Sequence, residues 1–108
     1  MAKRARTIRR EAERATDKLR QARMKLAALE PGGSPARPIE LVSASVIEPH
    51  AASMPCAACG GTVRVDTHEA RTFGAGDAPK RVRVVHVRCV ACGTERDVYF
   101  SLDAALPS

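Results

Sequence analysis

Four cysteines stand in two matched pairs, Cys56-Ala57-Ala58-Cys59-Gly60 and Cys89-Val90-Ala91-Cys92-Gly93. Thiolates at this spacing are metal ligands, because two intervening residues let one tight turn aim both sulfurs the same way. Two such turns offer the four ligands that a tetrahedral Zn²⁺ takes at about 2.3 Å each. The chain has no other cysteine, so the set closes with nothing left over. A closed four-thiolate site keeps no position for water or substrate, which makes it structural rather than catalytic. The glycine after each pair can adopt positive φ and turn backbone N–H groups toward the sulfurs. With Arg64 and Arg88 nearby, those donors are expected to soften the net double negative charge of a zinc tetrathiolate.

Other uses of paired cysteines fit less well. A disulfide framework wants an oxidising compartment, yet Met1-Ala2-Lys3-Arg4-Ala5-Arg6 leads into no apolar run of the kind a signal peptide needs. The expectation is therefore a cytoplasmic protein with reduced thiols. A thioredoxin-like motif wants a strand–helix unit around one Cys pair, and iron–sulfur clusters typically space their ligands differently. On its two knuckles, residues 54–102 resemble a zinc ribbon, the family in which two Cys-pair turns clamp a small antiparallel sheet. The resemblance implies one structural Zn²⁺ held by Cys56, Cys59, Cys89 and Cys92. It is a poor guide to function, since zinc ribbons serve transcription, translation, replication and plain protein–protein contact. The first knuckle departs mildly from the family's C-P-x-C-G, with Ala57 where proline often sits and Pro55 just before the Cys.

The sequence between the knuckles suits that architecture. Thr62 to Glu69 alternates apolar and polar residues, as a half-buried strand does. Phe73 to Lys80 is a glycine-rich turn cluster, and no Gly-Lys-Ser/Thr ending marks it as a phosphate loop. Arg81 to Arg88 is a second strand leading into Cys89. Thr94 to Leu102 is a third, with Val98, Phe100 and Leu102 on one face and Asp97, Tyr99 and Ser101 on the other. So small a sheet buries little apolar area, which is why a metal must contribute to its folding. His68 and His86 lie on adjacent strands, where they could face each other, but four cysteines already complete the site. His50 falls in the connector and suggests no role.

Residues 1–30 are a different object. From 3 to 30 there is no Gly or Pro, and the segment stops at Pro31-Gly32-Gly33-Ser34-Pro35. Apolar positions Ala5, Ile8, Ala12, Ala15, Leu19, Ala22, Leu26 and Leu29 recur in alternating steps of three and four, a heptad pattern. The seam is narrow and half alanine, which suits close helix–helix contact better than docking on a broad core. It packs on the chain's own sheet, on another protein, or on a second copy. For self-pairing, an antiparallel arrangement centred near Asp17 opposes Arg9 to Glu30 and Glu11 to Lys18. A parallel one opposes Arg4 to Arg9 and Lys18 to Arg23.

Charge is equally uneven. Ten Lys/Arg against four acids give residues 1–30 the whole formal charge of +6, and residues 31–108 are neutral. Several of the ten can pair at i,i+3, as Arg10 with Glu13, Glu11 with Arg14 and Asp17 with Arg20, so the unpaired excess gathers at Lys3, Arg4, Arg6, Arg9 and Arg10. Such an excess points to a polyanion, with phosphates as the usual target. A membrane surface is disfavoured because the apolar side lacks an aromatic or broad leucine face. The strands offer less to nucleic acid. Phe73 and Tyr99 are the only available stackers, Phe100 belongs to the core, and Asp66, Glu69, Glu95 and Asp97 interleave with the strand arginines.

No Ser/His/Asp arrangement, paired acids or phosphate loop suggests catalysis. The expected architecture is a small α+β chain: a basic, coiled-coil-like α-helix (1–30), a Pro/Gly/Ser/Ala-rich linker (31–53) and a three-stranded antiparallel zinc ribbon (54–108). Within the linker, Ile39-Glu40-Leu41-Val42 could add an edge strand. The expected function is that of a non-enzymatic adaptor, binding nucleic acid or a nucleic-acid machine such as the ribosome or RNA polymerase through the helix. The alternative is a protein–protein scaffold that dimerises or docks through Ile8, Ala12, Ala15, Leu19, Ala22, Leu26 and Leu29.

Overall fold

In the computed structural model, residues 2–74 and 79–102 are described, with the backbone alone at Ala2 and Lys3. The chain is α+β. Helix α1 (Ala2–Leu29) occupies the segment free of Gly and Pro. At 1.5 Å per residue it is about 42 Å long, and it stretches the molecule to 69 Å along its main axis. Strand β1 (Ile39–Leu41), a 3₁₀ turn (Ala44–Val46) and helix α2 (Ile47–Ser53) follow. Then come strands β2 (Val63–Phe73), β3 (Lys80–Cys89) and β4 (Glu95–Leu102).

The four strands form one mixed sheet in the order β1-β4-β3-β2. Strands β2, β3 and β4 run antiparallel, with Val63 opposite Cys89 at one end of the first pair and Phe73 opposite Lys80 at the other. Strand β1 lies parallel to β4, Ile39 against Phe100 and Leu41 against Leu102. This corrects the expectation of a three-stranded antiparallel sheet. The physical reason is the edge of β4: its outward N–H and C=O groups need partners, and β1 supplies them with only three residues, too few to show a period. The turn before β1 continues the same edge, since Tyr99 N–H donates to the Gly32 carbonyl at 2.9 Å. The glycine-rich cluster between β2 and β3 includes residues 75–78, which lie outside the described residues.

The stretch 31–53, expected to connect, also supplies the core. Ile47 and Ala51 of α2 are fully buried, and they pack with Val63, Val85, Val87, Val98 and Phe100 on one face of the sheet. The expected alternation on β4 holds at Val98 and Phe100, which are buried, whereas Leu102 at the strand end is exposed. His50 sets its ring edge-on to Phe100, 5.7 Å between centroids. Strand β2 alternates only as far as Val65, because a bulge at Asp66 shifts the register. His68 consequently pairs with Val85, and His86 with Thr67. Neighbouring strand positions point to opposite faces, so the two histidines do not face each other. His68 meets Glu48 of α2 at 3.2 Å, and His86 meets Asp97 and Glu95.

Among the described residues, helix α1 touches this body only near its C-terminal end. Arg20, Met24 and Ala27, spaced four and three, are its covered positions, and Arg23 Nη1 donates to the Ala58 carbonyl at 3.2 Å. Ile8, Leu19, Leu26 and Leu29 are 64%, 51%, 61% and 67% exposed. The heptad seam is therefore not what docks the helix on its own sheet. The i,i+3 pairings open to its charges are not formed either: among the described residues no ion pair involves α1.

Candidate metal centre and charged helix

Both cysteine pairs sit in turns that the sheet brings together. Cys56 and Cys59 lie in the loop between α2 and β2, whereas Cys89 ends β3 and Cys92 lies in the turn to β4. Each turn closes in the same way: Gly60 N–H donates to the Cys56 carbonyl at 2.8 Å, and Gly93 N–H to the Cys89 carbonyl at 3.0 Å. Gly60 and Gly93 take φ of 79° and 78°, the left-handed region expected of them. Cross-links between the turns hold them side by side. Val90 N–H donates to the Thr62 carbonyl at 2.9 Å, and Val63 pairs with Cys89.

The four sulfurs gather at 3.4–3.9 Å from one another, for example 3.7 Å from Cys56 to Cys92 and 3.5 Å from Cys59 to Cys89. A disulfide needs about 2.05 Å, and all four thiols are free. Cys56 and Cys89 are buried, and Cys59 and Cys92 half-buried. The cluster could hold one metal ion, and its donor chemistry fits a structural one. Backbone donors already point at the sulfurs: Gly61 N–H to Cys59 at 3.4 Å, and Ala91 and Cys92 N–H to Cys89 at 3.3 and 3.4 Å.

These donors set the acidities. The Thr94 hydroxyl, 3.0 Å from Cys92 Sγ, and the Thr94 backbone N–H bring Cys92 down to about 6. The backbone N–H groups of Cys92 and Ala91 lower Cys89 against the opposing effect of burial. The Gly61 N–H acts to lower Cys59 too, but its thiol neighbours and burial outweigh that donor and push it up to about 12. The donors thus pull Cys92 and Cys89 down while Cys59 is pushed up, and a bound cation would take the place of the Cys59 proton.

Two participants escaped the sequence reading. Gly61 closes around the site, since a Cβ there would meet Cys89 Sγ at 3.1 Å and Cys59 Sγ at 3.3 Å. Spacing singles out the glycine that follows the pair, and only the folded turns show that the next one approaches the sulfurs. The second is Arg96, which corrects the expectation for Arg88. Arg88 is engaged with Asp66 at 3.4 Å and Glu95 at 3.2 Å. Arg96, on β4, lines a small apolar recess with Cys56, Met54 and Thr94. Burial lowers its guanidinium from the ordinary range, while the charges of Cys56 and Glu30 act to raise it.

On the other side of the sheet, His86 Nδ1 lies 2.8 Å from Asp97 and Nε2 3.1 Å from Glu95, and these hydrogen bonds hold it above the ordinary imidazole range. Asp66, His86 and Glu95 could together approach a cation, but Arg88 already bridges the two carboxylates. Phe73 and Tyr99 pack edge to face, 6.0 Å apart.

Arg4, Arg6, Arg9 and Arg10 are all exposed on α1. Lys3 lies on the same helix, with its side chain outside the described residues. Among those residues, no helix is long and apolar enough to cross a membrane. Compared with family models, curated proteins and solved structures, the chain matches none.

Proposed function

We propose that the protein is a non-catalytic zinc-ribbon adaptor whose basic helix binds nucleic acid, free or within a machine such as the ribosome or RNA polymerase. The observation that carries the reading is α1 itself. The helix holds the molecule's whole excess of positive charge, projects from the body, and forms no ion pair among the described residues. A row of exposed guanidinium groups that no carboxylate pairs with among the described residues is suited to phosphates. Phe73 and Tyr99 pack on each other, which favours phosphate attraction over base stacking.

Zn²⁺ is supported by the sulfur separations. A tetrahedron with Zn–S near 2.3 Å has edges of about 3.8 Å, close to the 3.7 Å and 3.5 Å seen. A polynuclear iron–sulfur cluster would stand between its cysteines and spread them further. Four thiols kept reduced suit a compartment such as the cytoplasm. Bound there, the ion would link the two turns and order the sheet, and it would offer no open position for a substrate.

The test changes Arg4, Arg6, Arg9 and Arg10 together to Gln, which roughly preserves helix propensity. Affinity for generic RNA or DNA should fall, and the slope of log K against log salt should flatten by about 0.7–0.9 for each phosphate no longer neutralised. Base sequence should barely matter. Wild-type protein that shows no salt-sensitive binding to any polyanion removes this reading. The second reading, a scaffold that docks or dimerises through the heptad seam, is favoured by the exposure of Ile8, Leu19, Leu26 and Leu29.

A further inference from the structure

Helix α1 has two faces, and the sheet uses one. At about 100° per residue, Met24 and Leu26 point to nearly opposite sides. Met24 packs against the core and Leu26 stands in solvent. The uncovered side is a continuous line of Ile8, Ala12, Ala15, Leu19, Ala22, Leu26 and Leu29, with its four large members each more than half exposed. Large apolar side chains repeating along one helix line normally meet a partner.

We infer that this line is the interface of an antiparallel homodimer, with α1 of a second copy as its occupant. Charge complementarity selects the partner and its direction. With the two helices crossing near Asp17, Arg9 meets Glu30 of the second copy and Glu11 meets its Lys18. Symmetry repeats both attractions, and Arg4 against Lys25 is the repulsive pair. A parallel pair sets Arg4 against Arg9 and Lys18 against Arg23, and gains only Lys25 against Glu30. Size complementarity points the same way. Ile8 falls opposite Leu26, Ala15 opposite Leu19, and Ala12 opposite Ala22, so the alanines at the middle let the backbones approach. The sheet bodies do not obstruct the pair, because each hangs from the far side of its own helix through Met24 and Ala27. The two basic ends then lie about 30 Å apart, at 1.5 Å per residue. The inference stands without the nucleic-acid reading, since the apolar line is distinct from the arginine cluster; only Arg4 and Arg9 flank both.

Sedimentation of the full-length, zinc-loaded protein without nucleic acid tests it. Wild type should show a concentration-dependent dimer between micromolar and sub-millimolar protein, and Leu19→Glu should be monomeric with its zinc content unchanged. Direction is read from charge reversal. Glu11→Lys and Lys18→Glu should each weaken the dimer about threefold to tenfold, because each turns two attractions into repulsions, and the double variant should restore it. A wild type that remains monomeric over this range overturns the dimer. A double variant no tighter than the singles overturns the antiparallel direction.

Discussion

Helix α1 runs for 28 residues and, among those whose side chains are described, buries only Ala27, whereas β3 buries five of its ten. That difference separates two ways of being ordered. The helix is held by composition: alanine, leucine and long charged side chains favour the helical backbone without tertiary help, and Arg20, Met24, Arg23 and Ala27 tie down one end. The sheet body is held by closure. Its core combines Ile47 and Ala51 from α2, valines from β2, β3 and β4, Phe100, and the cysteines themselves. A region of the first kind loses little when a side chain changes. A region of the second kind is cooperative, so one change propagates, and the cysteine cluster and the hydrophobic core are parts of one object.

The largest effect expected from that contrast is metal loss. Cys89→Ser, or chelation of the wild type, should abolish the cooperative melting of the sheet body. Apparent zinc-binding energies of about 10–16 kcal/mol in small structural sites exceed what so small a core supplies alone. Because α2 and β1 pack on the sheet, residues 39–102 should lose amide dispersion together while much of α1's helical signal persists. A body that stays folded without metal would break the comparison.

A smaller effect separates core from connector. Ile47 is fully buried in a segment whose composition resembles a linker, so Ile47→Ala should cost about 2–5 kcal/mol, measured by thermal or denaturant unfolding of the zinc-loaded protein. A matching Leu26→Ala on the exposed helix line should leave the melting of the sheet body unchanged. Equal effects at the two positions would show that the regions unfold as one.

The smallest effect is a pH signature. Asp97 and Glu95 hold His86 above its ordinary range, so protonated His86 stabilises the fold. That contribution is fully present below the unfolded value of about 6.5 and is lost as pH rises through the higher folded value. Arg88 and Asp66, 3.4 Å apart, lie on the same face. His86→Gln should therefore lower the melting temperature slightly near pH 6, and the difference from wild type should shrink toward alkaline pH. The site is exposed enough for solvent to screen it, and a difference that grows with pH would reverse the assigned sign.

The four-cysteine cluster, the long helix and the three later strands were all legible in the residues, because each rests on a local rule. Two residues between thiols force a shared direction, a segment without Gly or Pro propagates a helix, and apolar alternation marks a strand. Where those rules compete with packing, packing prevailed. The bulge at Asp66 separates His68 from His86, and β1 pairs with β4 at a length too short to carry a period. Which line of α1 meets the sheet was also beyond local pattern. Periodicity marks the line from Ile8 to Leu29, but the sheet takes Arg20, Met24 and Ala27, since what matters there is fit to a surface assembled from distant segments. The same holds for Gly61 and Arg96, which approach the thiols only after the turns meet. The amino-acid sequence by itself thus determined the candidate ligands, the charged helix and its seam. Only tertiary structure decided which faces are covered, because burial depends on residues far apart in the chain coming to share one core.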